Sequence, residues 1–126
     1  MALSNTYNLE VKQGDDFTVQ FTIQTSVPEP LDLTGYTARL MVRKSYGTAS
    51  VLITATTENG GLVIDTPATD GVIFWNVTSA STAAIRFVGD NETLDCVYDL
   101  EIVSSTGAVI TPARGTITLY REVTRG

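Results

Sequence analysis

The stretch Phe17-Thr18-Val19-Gln20-Phe21-Thr22-Ile23-Gln24 decides the fold. Apolar and polar residues alternate along its whole length, a period of two that suits a half-buried strand and fits helical spacing poorly. One face of such a strand is core, and a strand with one apolar face needs a second layer to bury it.

The same signal recurs outward from this stretch. Thr37 to Arg43 places Ala38, Leu40 and Val42 on one face and Arg39, Met41 and Arg43 on the other. Val51 to Thr57 alternates again, and Cys96, Tyr98, Leu100 and Ile102 alternate with Val97, Asp99, Glu101 and Val103. Val72 to Thr78 is apolar on both faces, as a strand in the middle of a sheet would be. After Pro112 a last strand carries Ile117 and Leu119 inward, with Thr116, Thr118 and Tyr120 outward.

Turn chemistry separates these runs. Pro28 and Pro30 stop the first one, Asp32-Leu33-Thr34-Gly35 reads as a turn or a single helical turn, and Asn59-Gly60-Gly61 is a strong turn signal before Leu62 to Asp65. Ser104-Ser105-Thr106-Gly107 reads as a hairpin turn. Ser79 to Ile85 is the one helical candidate, about two turns with Ser79 as its cap. The expectation is an all-β fold, an antiparallel sandwich of seven or eight short strands with one short helix. Residues 1–126 form one domain, with 1–9 as an N-terminal arm carrying the apolar residues Leu3, Tyr7 and Leu9.

Composition narrows the function classes. Eight basic residues stand against fourteen acidic ones, and the basic residues are scattered apart from a group at 39–44. No footprint for a phosphate backbone exists, so nucleic acid is not an expected partner. No apolar run approaches the length of a membrane span, and the first residues carry neither a basic region nor an apolar one typical of a secretory signal. A single cysteine, Cys96, allows no internal disulfide, in keeping with folding in a reducing cytoplasm.

Catalytic constellations are hard to assemble from these residues. The chain contains no histidine, which removes Ser-His-Asp and Cys-His arrangements and most zinc sites. Asp15-Asp16 and the group Asp90, Glu92 and Asp95 are the only acidic clusters, and both read as solvated loops. The 90–95 loop offers oxygen atoms to a Ca²⁺ ion but lacks the spacing of an EF-hand. No phosphate-binding glycine motif is present. No cofactor, metal or small-molecule substrate is expected. Trp75 reads as a core anchor, with a sugar-stacking role in a carbohydrate-binding module as the alternative. Arg39, Met41 and Arg43 form the candidate interface row, because Arg and Met are enriched at protein contacts. Tyr7, Leu9 and Tyr120 are the further interface candidates, with Tyr36 and Tyr46 as similar amphipathic residues at strand ends.

One resemblance covers most of the chain. Gln13-Gly14-Asp15 before an alternating strand, Leu31-Asp32-Leu33-Thr34-Gly35-Tyr36 before an Arg-bearing strand, Tyr98-Asp99-Leu100-Glu101, and a Gly115-started last strand to Arg125 follow in order. As an ordered set they resemble the immunoglobulin-like N-terminal domain of phage baseplate upper proteins. The resemblance implies a non-enzymatic virion protein, made in the host cytoplasm, which contacts other virion proteins and further copies of itself. In those proteins the domain is joined to segments that hold receptor-binding proteins. No fibrous or coiled-coil extension follows here, so the expectation is a tail, baseplate or fibre-attachment component, with a capsid decoration protein as the alternative.

Overall fold

A computed structural model describes residues 4–87 and 89–123. The strands in chain order are β1 (Asn5–Thr6), β2 (Leu9–Lys12), β3 (Phe17–Thr22), β4 (Gln24–Ser26), β5 (Glu29–Pro30), β6 (Thr37–Arg43), β7 (Ile53–Thr56), β8 (Leu62–Ile64) and β9 (Val72–Val77). The helix α1 (Ser79–Ala83) follows, then β10 (Thr93–Val103) and β11 (Val109–Tyr120). One sheet runs β1-β11-β10-β6-β7, with β2 also on β11, and the other runs β3-β9-β8. The hairpin β4–β5 stands apart from both.

The two sheets face each other, and the alternation seen in the sequence supplies both inner faces. Ala38, Leu40 and Val42 from β6 and Cys96, Tyr98, Leu100 and Ile102 from β10 are buried, as are Phe21, Ile73, Trp75 and Leu62 from the opposite sheet. Rings connect the layers: Tyr98 lies 6.3 Å from Phe21 and 5.9 Å from Trp75, centroid to centroid. Phe17 meets Trp75 edge-on at 5.7 Å, and Tyr7 meets Phe21 edge-on at 5.4 Å. Aromatic pairs of this kind contribute about 0.5–1.5 kcal/mol each beyond the area they bury.

The topology is that of an immunoglobulin-like β-sandwich. The order β11-β10-β6-β7 against β3-β9-β8 reproduces the G-F-C-C′ and B-E-D arrangement of that fold. An antibody domain ties its B and F strands with a disulfide; here Cys96 on β10 is unpaired and buried, and the cluster of Phe21, Trp75 and Tyr98 joins the layers. The sandwich and the single short α-helix agree with the sequence reading. The described residues form eleven strands instead of seven or eight, because the N-terminal segment and the stretch around Pro28 and Pro30 add short strands of two to four residues.

Several local expectations change. The first alternating strand stops at Thr22, because Ile23 donates its N–H to the Gly71 carbonyl (2.7 Å) and accepts at its own carbonyl from the Leu31 N–H (2.9 Å), turning the chain into the β4–β5 hairpin. The helix is capped by Thr78, not Ser79: the Thr78 side chain accepts from the Ser81 N–H, and the helix ends at Ala83. The last strand begins before Pro112 instead of after it. Between Leu100 and Ile102 the β10–β11 register shifts by one residue, and the extra residue on β11 makes a bulge that takes in Pro112, which has no N–H for the ladder.

The largest change concerns the N-terminal arm. Residues 5–12 run along their own chain, with Asn5 and Thr6 opposite Ala113 and Arg114 and Leu9 to Lys12 opposite Ile117 to Tyr120, both in parallel. Tyr7 and Leu9 turn inward and are half-buried against the core, so they are not part of a projecting arm. Two features hold this strand down. The Tyr98 hydroxyl donates to the Tyr7 carbonyl (2.7 Å), and Gly115 lies so close that a Cβ there would overlap that same carbonyl oxygen. Leu3 lies outside the described residues.

Candidate functional site

The outward face of β6 and β10 gathers the exposed side chains that the sheet does not use itself. Antiparallel pairing sets Arg39 opposite Glu101, Met41 opposite Asp99 and Arg43 opposite Val97. On the other side of β6, Met41 faces Thr54 and Arg39 faces Thr56. Because inward residues alternate with these, Leu40 and Val42 anchor the row from behind. The row therefore stands on a layer whose inward side chains are fully buried.

Its chemistry is mixed. The Arg39 Nε donates to Glu101 Oε1 at 2.6 Å, a half-exposed ion pair of the kind that contributes about 0–1 kcal/mol. Arg43 donates through Nη1 to the carbonyls of Thr48 (2.9 Å) and Ala49 (3.1 Å), so its guanidinium pins the loop that carries Tyr46. Its Nη2 reaches the Met41 sulfur at 3.6 Å. Burial beneath these groups, followed by repulsion from Glu101, raises the Asp99 carboxyl above its ordinary value, and Arg43 offsets part of the rise. Met41 is 38 % exposed and Tyr46 77 % exposed. The result is a shallow groove lined by Arg39, Met41, Arg43, Tyr46, Val97 and Asp99, in which the apolar Met41 and Val97 stand among charged side chains. Such a pattern suits contact with another protein.

The other candidates go elsewhere. Tyr120 is half-buried at the end of β11, where its hydroxyl lies 3.4 Å from Glu10 and its ionisation is pushed up chiefly by that carboxylate. Tyr7 and Leu9 belong to the core margin, as described above. Sequence reading alone picked out Arg39, Met41 and Arg43 from their outward alternation. It missed Val97, Asp99 and Glu101, which join the row only through the β6–β10 register.

Asp16 and Asp95, one member of each acidic cluster, and Trp75 have structural duties. Asp16 Oδ1 accepts from the Ser79 N–H at the start of α1, while Gly14 donates its N–H to the Thr82 hydroxyl (2.9 Å). Gln13 donates to the Ile85 carbonyl (3.0 Å), so the Gln13-Gly14-Asp15 turn is a clamp on the helix. Asp32 accepts from both the hydroxyl (2.6 Å) and the N–H (3.0 Å) of Thr34, which lowers its pKa and closes the turn that feeds β6. Asp95 accepts from the Thr118 hydroxyl across the β10–β11 ladder. Among the described residues no three His, Cys, Asp or Glu side chains converge on a metal-sized site. Trp75 is wholly buried, so its ring has no face for a sugar.

No protein-family model matches the chain, and no curated protein matches it. Among solved structures, murine CRIg is similar to this chain with a TM-score of 0.38 and 13 % sequence identity, over 91 % of this chain and 92 % of that one.

Proposed function

We propose that the chain is a non-enzymatic structural component of a tailed-phage virion, in the tail, baseplate or fibre-attachment region, and that it binds another virion protein through the outward face of β6 and β10. The observation that carries the contact is Met41, part-exposed at the centre of a rigid sheet and flanked by Arg39, Arg43 and Tyr46. Arg, Met and Tyr are enriched where proteins meet, and a face fixed by a packed ladder loses little conformational freedom on binding.

The virion assignment is supported by the ordered motif set, each member of which makes a joint of this sandwich. Gln13-Gly14-Asp15 clamps α1, Asp32 and Thr34 close the turn into β6, Tyr98 ties β10 to the first strands, and Gly115 lets those strands approach β11. Asp99 and Glu101 of the third motif lie on the proposed contact face itself.

The test is complementation of a phage from which this gene has been deleted. The wild-type chain restores complete particles, and Met41→Asp, which replaces the part-exposed apolar side chain of the groove with a second carboxylate opposite Asp99, fails to restore them while folding normally. Full rescue by Met41→Asp and by a second variant, Arg39→Glu, refutes the assignment of the face. Normal particle formation with the gene absent refutes the structural role.

A further inference from the structure

The sheet β3-β9-β8 ends on β3, and that edge is unusually open. The first strands of the chain do not flank it, being committed to β11 in the opposite sheet. Which backbone groups face outward follows from the ladder. Ile23 donates to Gly71, continuing the register Phe21 opposite Ile73, Val19 opposite Trp75 and Phe17 opposite Val77. Hydrogen-bonded and non-bonded pairs alternate in an antiparallel ladder. The odd residues of β3 therefore bond β9, while Thr18, Gln20 and Thr22 turn their N–H and C=O groups away from it.

Protein edges are ordinarily protected by brevity, charge, proline or a bulge. The edge at β7 has four residues and that at β8 three, and β2 carries Glu10 and Lys12. β3 has six residues, Phe-Thr-Val-Gln-Phe-Thr, with no charge, no proline and an unbroken register. Among the described residues it is the longest uncharged edge. The β4–β5 hairpin does not cover it, because Leu31 folds back toward Gly71 on the β9 side.

We propose that β3 is a docking edge for β3 of a second copy, paired antiparallel about a two-fold axis at Gln20. The strand is self-complementary in that register. Gln20 faces Gln20 of the second copy, Thr18 faces its Thr22, and Thr22 faces its Thr18, so all three outward-facing residues meet their counterparts in hydrogen-bonded pairs. Thr–Thr pairs across strands are favourable, and no like charges meet: Asp16 falls opposite Gln24 and Asp15 opposite Thr25. The two copies then share one continuous sheet whose outer edges are the short β8 strands, and the symmetry closes at a dimer. This edge lies on the sheet opposite the β6–β10 face, so the two contacts are independent.

Sedimentation over a range of concentrations, on the wild type, Gln20→Lys, Gln20→Glu and their equal mixture, tests this. The wild type sediments as a dimer. Each single variant brings like charges opposite each other at the axis and weakens dimerisation by about fivefold, and the mixture restores it by placing Lys against Glu. Trp75 fluorescence verifies that each variant is folded. If one variant fails to fold, the other still reads the effect, and so does Thr18→Pro, which removes an outward N–H and no backbone bond to β9, at the loss of the exposed Thr18–Asn76 side-chain hydrogen bond. A concentration-independent wild-type monomer overturns the proposal, as does an oligomer that no β3 variant weakens. Met41→Asp leaves the dimer intact, which separates this contact from the one proposed above.

Discussion

Tyr98→Phe removes one atom and tests how the N-terminal strands are held. The Tyr98 side chain is 2 % exposed, and its hydroxyl donates to the Tyr7 carbonyl at 2.7 Å. Burial raises the phenol far above its usual ionisation, with a smaller contribution from Tyr7, so the donor stays protonated well into alkaline solution. Phenylalanine keeps the ring contacts with Phe21 and Trp75 but leaves the Tyr7 carbonyl without this donor. An orphaned buried acceptor costs about 1–3 kcal/mol. At roughly 4 °C per kcal/mol for a chain of this length, a loss of about 2 kcal/mol lowers Tm by roughly 8 °C. Gly115→Ala attacks the same carbonyl from the other side by steric overlap, at about 1–3 kcal/mol. Once either change has lifted residues 5–12 off β11, the other has less to disrupt. The double variant is therefore less destabilised than the sum of the two, by at least about 0.5 kcal/mol. Thermal and urea unfolding followed by Trp75 fluorescence measure all three. A Tyr98→Phe protein that melts with the wild type, or strict additivity in the double variant, refutes this account of the strand.

Asp99→Asn stabilises the protein at neutral pH. The carboxyl of Asp99 has a folded pKa raised above 3.8, so the folded state holds its proton more tightly than the unfolded state. Its contribution favours folding in acid and is lost as pH rises through the folded value. The amide removes that burden, so the gain in Tm is present at neutral pH and disappears in acid; a constant gain, or none, contradicts the assigned cause. Cys96 is 1 % exposed, and its thiol is pushed up to about 11, chiefly by burial and then by Asp95. A disulfide reagent at neutral pH therefore labels it only on unfolding, and prompt labelling of the native protein would show that β10 opens locally. Arg39→Ala and Glu101→Ala each change stability by less than about 1 kcal/mol in chemical denaturation, because their ion pair is half-exposed. A larger loss would give the pair a structural duty beyond the surface.

What the sequence revealed was local periodicity. β6 was legible from Thr37 to Arg43 because Ala38, Leu40 and Val42 must share a face, and the same logic placed Cys96 to Ile102. The parallel course of residues 5–12 along β11 was not legible. It depends on contacts between residues far apart in the chain, such as Tyr98 with Tyr7, 91 positions away, and on the room made by Gly115, which no local pattern records. Thr78 and Ser79 are both good caps, and only the backbone angles decide between them. Pro112 reads as a strand breaker until the bulge opposite Leu100 and Ile102 accommodates it. The contact face was half legible for a similar reason. Alternation put Arg39, Met41 and Arg43 outward, but cross-strand register decides that Val97, Asp99 and Glu101 stand beside them.

Gold-labelled antibody to this chain, viewed by electron microscopy on purified phage particles, tests the central claim most directly. Label at a fixed position on the tail or baseplate is the predicted result, and it is absent from the incomplete particles that form with the Met41→Asp chain. Label on the head transfers the same contact chemistry to a decoration role and contradicts the tail assignment. Particles that carry no label, from cells that make the protein, contradict a virion role altogether.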